Sequence, residues 1–199
     1  MELVTSTLYC FITLFIILDP FLGLALFITL TKHMKRKERY KQAFIACFVA
    51  FALLMIFLFT GQWILELLGI SFSSFMIAGG IILLVMGIMS IIGIEFKRKK
   101  SMSAAAILIA TPVLTGPGAM TTVVILSRQY GFIPPVIASV LVLGITWIML
   151  INAEKIQKLL GERVIEILSR LMGLILAALA AEFIKNGIID SLRDFFSGR

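Results

Sequence analysis

Six long apolar stretches punctuate the chain, at about 4–30, 42–60, 74–94, 103–127, 133–152 and 167–188. Each is near the ~20 residues that a helix needs to cross a bilayer. They are apolar around most of the helical circumference, as expected where lipid covers the outer face. The polar gaps between them are short. The pattern therefore predicts a single all-α integral membrane domain over residues 1–199, with six transmembrane helices and no second, soluble unit. One segment departs from it. EKIQKLLGERVIEILSR (154–170) mixes charge with Leu and Ile at helical spacing and predicts an interfacial helix leading into the sixth span. Within it Glu166 and Arg170 stand four apart, on one face.

Composition agrees. Hydrophobic residues make up 60% and charged residues 15%, where soluble domains run nearer one half and one quarter. The net charge of +7 would suggest nucleic acid in a soluble protein. Here its distribution gives it another meaning. The first, third and fifth gaps hold Lys32, Lys35, Arg36, Lys37, Arg39 and Lys41, then Lys97, Arg98, Lys99 and Lys100, then Lys155, Lys158, Arg163 and Arg170. The opposite side holds only Arg128, Lys185, Arg193 and Arg199. Basic residues mark cytoplasmic loops. The expectation is a multi-pass protein of the cytoplasmic membrane with both termini outside, and no nucleic-acid partner. Tyr9, Trp63 and Tyr130 fall near the outer interface and Trp147 near the inner one, as an aromatic belt.

Several chemistries are excluded. Cys10 and Cys47 lie inside apolar runs, no CxxC spacing exists, and His33 is the one histidine. No metal site, cofactor or His-based triad is expected. Of Asp19, Asp190 and Asp194 only Asp19 lies at membrane depth, so a paired-aspartate protease is not expected and the chain reads as non-enzymatic. The opening Met-Glu-Leu-Val lacks the basic start of a signal peptide, so the first apolar run should be retained.

Six spans divide into two sets of three, residues 1–94 and 103–190, and an odd number per set gives the halves opposite orientations. That is an inverted-topology repeat. The first span of each half is interrupted near its middle, hence near the bilayer midplane: Asp19-Pro20-Phe21-Leu22-Gly23, and Thr111-Pro112-Val113-Leu114-Thr115-Gly116-Pro117-Gly118-Ala119. Proline lacks an N–H and disrupts the preceding turn, but suits the first position of a new helix. With Asp19 as N-cap, the second half-helix would offer the amides of Phe21, Leu22 and Gly23. A half-helix from Pro117 would offer those of Gly118, Ala119 and Met120, with Gly116 and Gly118 admitting a ligand to the backbone. Unpaired backbone groups in hydrocarbon cost several kcal/mol, so they line a cavity or find partners. A carboxylate at midplane costs roughly 2.5–3.5 kcal/mol on insertion scales, and Asp19 therefore points to an ammonium, a coupling cation or a proton. The candidate substrate-binding residues are Asp19, Pro20, Gly23, Thr111, Thr115, Gly116, Pro117, Gly118, Ala119 and Met120. Ala43, Cys47 and Ala50, then Gly80, Gly87 and Ser90, then Gly173, Ala177 and Ala181 form small-residue stripes suited to close helix packing.

ATPVLTGPGAMTTVVILS (110–127) resembles the signature of the MarC family of integral membrane proteins, also called the SnatA or neutral amino acid transporter family. ILDPFLGLALFITLTK (17–32) resembles its first-span motif, and residues 69–93 and 169–188 are similar to its third and sixth spans. The resemblance implies six helices in two inverted repeats and transport of small neutral amino acids such as glycine or alanine. It also departs from the family. Leu22, Gly23 and Ala25 stand where the first-span motif usually has Gly, Asn and Pro, which bears on substrate preference. The expectation is a secondary transporter of a small neutral amino acid by alternating access, coupled to protons or sodium through Asp19; a homo-oligomer is compatible with it. The alternative is a metal-cation or other small-solute transporter of similar design, for which a hard cation would want more carboxylates than Asp19 alone.

Overall fold

Helix boundaries follow from a few capping residues. In the computed structural model, which describes residues 2–93 and 116–197, the elements are α1 (Glu2–Leu18), α2 (Pro20–Thr31), α3 (Arg36–Leu67), α4 (Phe72–Ile92), α5 (Pro117–Tyr130), α6 (Ile133–Ile151), α7 (Ala153–Leu160) and α8 (Glu162–Ser197). The first half of the expected fourth span lies outside the described residues, and Thr111 and Thr115 with it. The chain is an all-helical membrane protein. Five segments among the described residues are long and apolar enough to cross a bilayer: α1 with α2 as one broken span, α3, α4, α6 and α8.

α3 begins earlier than the apolar run because the Glu38 carboxylate accepts the Lys35 N–H at 3.1 Å, closing a polar first turn. The Ser71 hydroxyl accepts the Ser74 N–H at 3.2 Å and starts α4, which ends on Gly93 at φ 73°. The expected single interfacial helix over 154–170 is instead two helices. Gly161, at φ 80°, turns the chain between α7 and α8. The Glu166–Arg170 ion pair forms inside α8 at 2.5 Å.

The most extensive contact is the antiparallel pair α4–α8. A Cβ at Gly80 would lie 2.9 Å from the Ala180 carbonyl, and one at Gly87 would lie 2.8 Å from the Gly173 carbonyl. The two backbones thus meet where side chains are missing. Ala180, not Ala181, is the buried member of the α8 stripe, one residue from the expected position. Elsewhere α1 packs on α6, α3 packs on both α5 and α6, and α5 packs on α4. α5 is the central helix: from Gly118 to Ser127 every residue but Met120 is buried.

Contacts identify the two ends of the bundle. At one end Tyr9 meets Tyr130 with centroids 5.3 Å apart, Arg128 lies 4.5 Å over the Phe72 ring, and Gln62 Nε2 donates to Ser127 Oγ at 3.2 Å. At the other, Arg39 pairs with Glu154, joining the first basic gap to α7.

Candidate functional site

The first break is made by Asp19. It separates α1 from α2 at φ 37° and ψ 76°, the sole non-glycine residue at positive φ among those described. A non-glycine residue held there stores strain that surrounding contacts must offset. Pro20 occupies the first position of α2. Asp19 Oδ1 accepts the Leu22 N–H at 3.1 Å, and the Asp19 carbonyl accepts the Gly23 N–H at 3.0 Å. Leu22 and Gly23 are therefore not open amides as expected, because Asp19 caps its own half-helix.

The other carboxylate oxygen reaches across the bundle. Oδ2 accepts from Ser169 Oγ on α8 at 2.9 Å, with Asp19 only 7% exposed. The Ser169 carbonyl in turn accepts from Ser90 Oγ on α4 at 3.1 Å. One polar chain, Ser90 to Ser169 to Asp19, joins α4, α8 and the break. Among the described residues no Lys or Arg pairs with Asp19. Ser90 lies in the last turn of α4, so the break sits toward the end of the bundle that carries Arg39 and Glu154, not midway along α4. The 17 residues of α1 already climb ~25 Å before the chain turns.

The second break opens α5. Gly116 is its N-cap in an extended conformation, and Pro117 takes the first position. Both half-helices thus start with a cap followed by proline. The Gly116 carbonyl accepts the N–H groups of Ala119 at 2.9 Å and Met120 at 3.2 Å. Of the three amides expected to be open, only that of Gly118 has no acceptor among the described residues. Gly118 also has a packing role. A Cβ there would strike the Leu83 side chain and lie 3.4 Å from Met86 Sδ, so its missing side chain lets α5 close on α4. Thr122 Oγ1 donates to the Gly118 carbonyl at 2.8 Å.

The two breaks share a core, since Leu18 and Ala119 belong to the same apolar cluster. Their surroundings differ: Asp19 is hydrogen-bonded by α8, while Gly118 faces apolar side chains of α4. Glu182 stands apart, exposed and paired with Lys185 at 2.6 Å. Ser169 was not singled out by the pattern. The available signal was its place one turn below Gly173 on the α8 stripe, opposite Ser90.

A family model described as MarC family integral membrane protein matches residues 4–192. A UPF0056 membrane protein of Methanocaldococcus jannaschii is 38% identical over 195 residues, covering 92% of this chain and 95% of its own. A UPF0056 membrane protein of Archaeoglobus fulgidus is 35% identical over 92% of each chain. The UPF0056 inner membrane protein YhgN of Escherichia coli is 32% identical, over 89% of this chain and 93% of its own. No solved structure matches the chain significantly.

Proposed function

The chain belongs to the MarC family of integral membrane proteins, and from that premise we propose that it is a secondary transporter of small neutral amino acids, glycine- or alanine-like, working by alternating access. The observation that carries this reading is the Asp19 carboxylate. It is buried in an apolar bundle at a helix break, with no described cationic partner. A buried carboxylate is expensive unless it has a counter-ion, and a substrate ammonium is one. The N-terminus of α5 supplies the complementary end. Its positive dipole and the Gly118 N–H suit a substrate carboxylate. Acid at one half-helix and amide at the other match a zwitterion. Pro20 and Gly23 shape the first half-site, and Thr111, Thr115, Gly116, Pro117, Ala119 and Met120 the second. Between substrates Asp19 takes a proton or sodium, which is the coupling ion.

The packing pattern supports two inverted repeats. Exchanging the halves turns the α1–α6 contact into the α5–α3 contact, and the contacts of α1 and α2 with α8 into that of α5 with α4. The pairs α3–α6, α4–α8 and α1–α5 map onto themselves. On α4 and α8, the Gly87–Gly173 approach becomes the Gly80–Ala180 approach when Gly80 is matched to Gly173. The basic end of the bundle is assigned to the cytoplasm, with both termini outside.

Uptake of labelled glycine and alanine by proteoliposomes tests the reading. Wild-type protein should accumulate at least one of them above empty liposomes, and Asp19→Asn should lower the rate at least about tenfold, the equivalent of ~1.4 kcal/mol. Wild-type rates in Asp19→Asn would remove the carboxylate from the mechanism.

A further inference from the structure

We infer that Ser169 is a positioning residue for Asp19, favouring the carboxylate's charged, ammonium-receiving form with a hydroxyl presented by the α4–α8 pair. This rests on the reading of Asp19 as the substrate-facing group. A carboxylate offers about four acceptor sites across its two oxygens. Leu22 N–H takes one on Oδ1 and Ser169 Oγ takes one on Oδ2, which leaves room for an ammonium or a proton. The two donors differ in kind. An amide N–H can only donate, whereas a hydroxyl donates or accepts.

The Ser169 hydroxyl therefore has two arrangements. With Asp19 charged, it donates to Oδ2, as the structure shows. With a proton on Oδ2, the carboxyl becomes the donor and Ser169 Oγ the acceptor. The Ser169 proton then turns to the carbonyl four residues back, at Ile165, an ordinary partner for serine in a membrane helix. No bond breaks in the switch beyond hydrogen bonds. The Ser169 backbone is fixed meanwhile, because its carbonyl accepts from Ser90 Oγ and Gly87 and Gly173 press α4 against α8. The donor that faces Asp19 is thus held by a helix pair outside its own span.

Few other charges reach this point. α2, α4 and α6 carry none, α1 carries Glu2 at its far end, α5 carries Arg128 at the opposite end of the bundle, and α7, packed on α2 and α8, carries Lys155, Lys158 and Glu154, the last paired with Arg39 of α3. α8 carries Glu166 and Arg170 beside Ser169, and these pair with each other.

Infrared difference spectra of the purified full-length chain, recorded against pH, test the proposal. The carbonyl stretch of the protonated Asp19 carboxyl is identified by its loss in Asp19→Asn. Ser169→Ala should bring that band in at a proton concentration about fivefold to tenfold lower than wild type, the excess of a hydrogen bond to a charged group over one to a neutral group. Ser169→Thr, which keeps the hydroxyl, should stay near wild type. Ser90→Ala, which leaves the Ser169–Asp19 bond in place, should do the same. An unmoved band in Ser169→Ala overturns the proposal, as does an equal displacement in Ser169→Thr or the absence of any Asp19-dependent band. Glycine uptake separates the two readings: wild-type protein that shows the Ser169 effect but carries no amino acid refutes transport and leaves the positioning role standing.

Discussion

Asp19 and Gly116 are the same device with different chemistry: each caps a half-helix just before a proline. Asp19 was legible in the sequence because one carboxylate in a long apolar run stands out, and its place before Pro20 marks it as an N-cap. Its partner was not. A serine between Glu166 and Arg170 reads as interface, and no periodicity reveals a hydrogen bond across 150 positions. Gly118 was legible as a place of backbone approach, but the sequence could not say what approaches. The structure puts Leu83 and Met86 there. Gly118→Ala should therefore lower stability by about 1–3 kcal/mol through overpacking. Thermal unfolding in detergent would measure it, and Leu83→Ala in the same chain should recover part of the loss. If Gly118→Ala unfolds at the wild-type temperature, the contact with α4 is not tight.

Among the elements, α4 and α8 form the most extensively packed pair. Their stripes could be read from the spacing of Gly80, Gly87 and Gly173, because small residues at helical intervals have few other uses in a membrane. The register was harder: Ala180 and Ala181 are adjacent, and only packing shows which one faces inward. The turn at Gly161 was hidden for a similar reason. One glycine in an amphipathic stretch lowers helicity but does not announce a bend. Gly87→Leu or Gly173→Leu should separate the pair: a side chain at Gly87 meets the backbone of Gly173 and Ala177, and one at Gly173 meets Ser90 Cβ and Oγ with the Gly87 carbonyl at 3.0 Å. The expected loss is at least about 3 kcal/mol, seen as a lower unfolding temperature. Gly144→Ala on α6 is the control: a Cβ there meets nothing within 4 Å, and no loss is expected.

For the whole molecule, orientation is the first consequence of the charge pattern. Cysteines introduced at Lys37 and Lys158 should react with a membrane-impermeant maleimide only from the cytoplasmic side, and those at Leu68 and Gln129 only from outside. The reverse result would invert the topology. Membrane-spanning helices were legible from hydropathy alone, and five stand among the described residues. The way they interlock was not, because it depends on contacts between halves. Those contacts bear on how the protein is made. The extensive packing of α1, α3 and α4 is all with helices of the second half. During synthesis the first three spans therefore enter the membrane before any of their main partners exists, and each must stay there alone in lipid. Apolarity follows that order: the first three spanning segments are more apolar than α6 and α8, which arrive with partners already waiting.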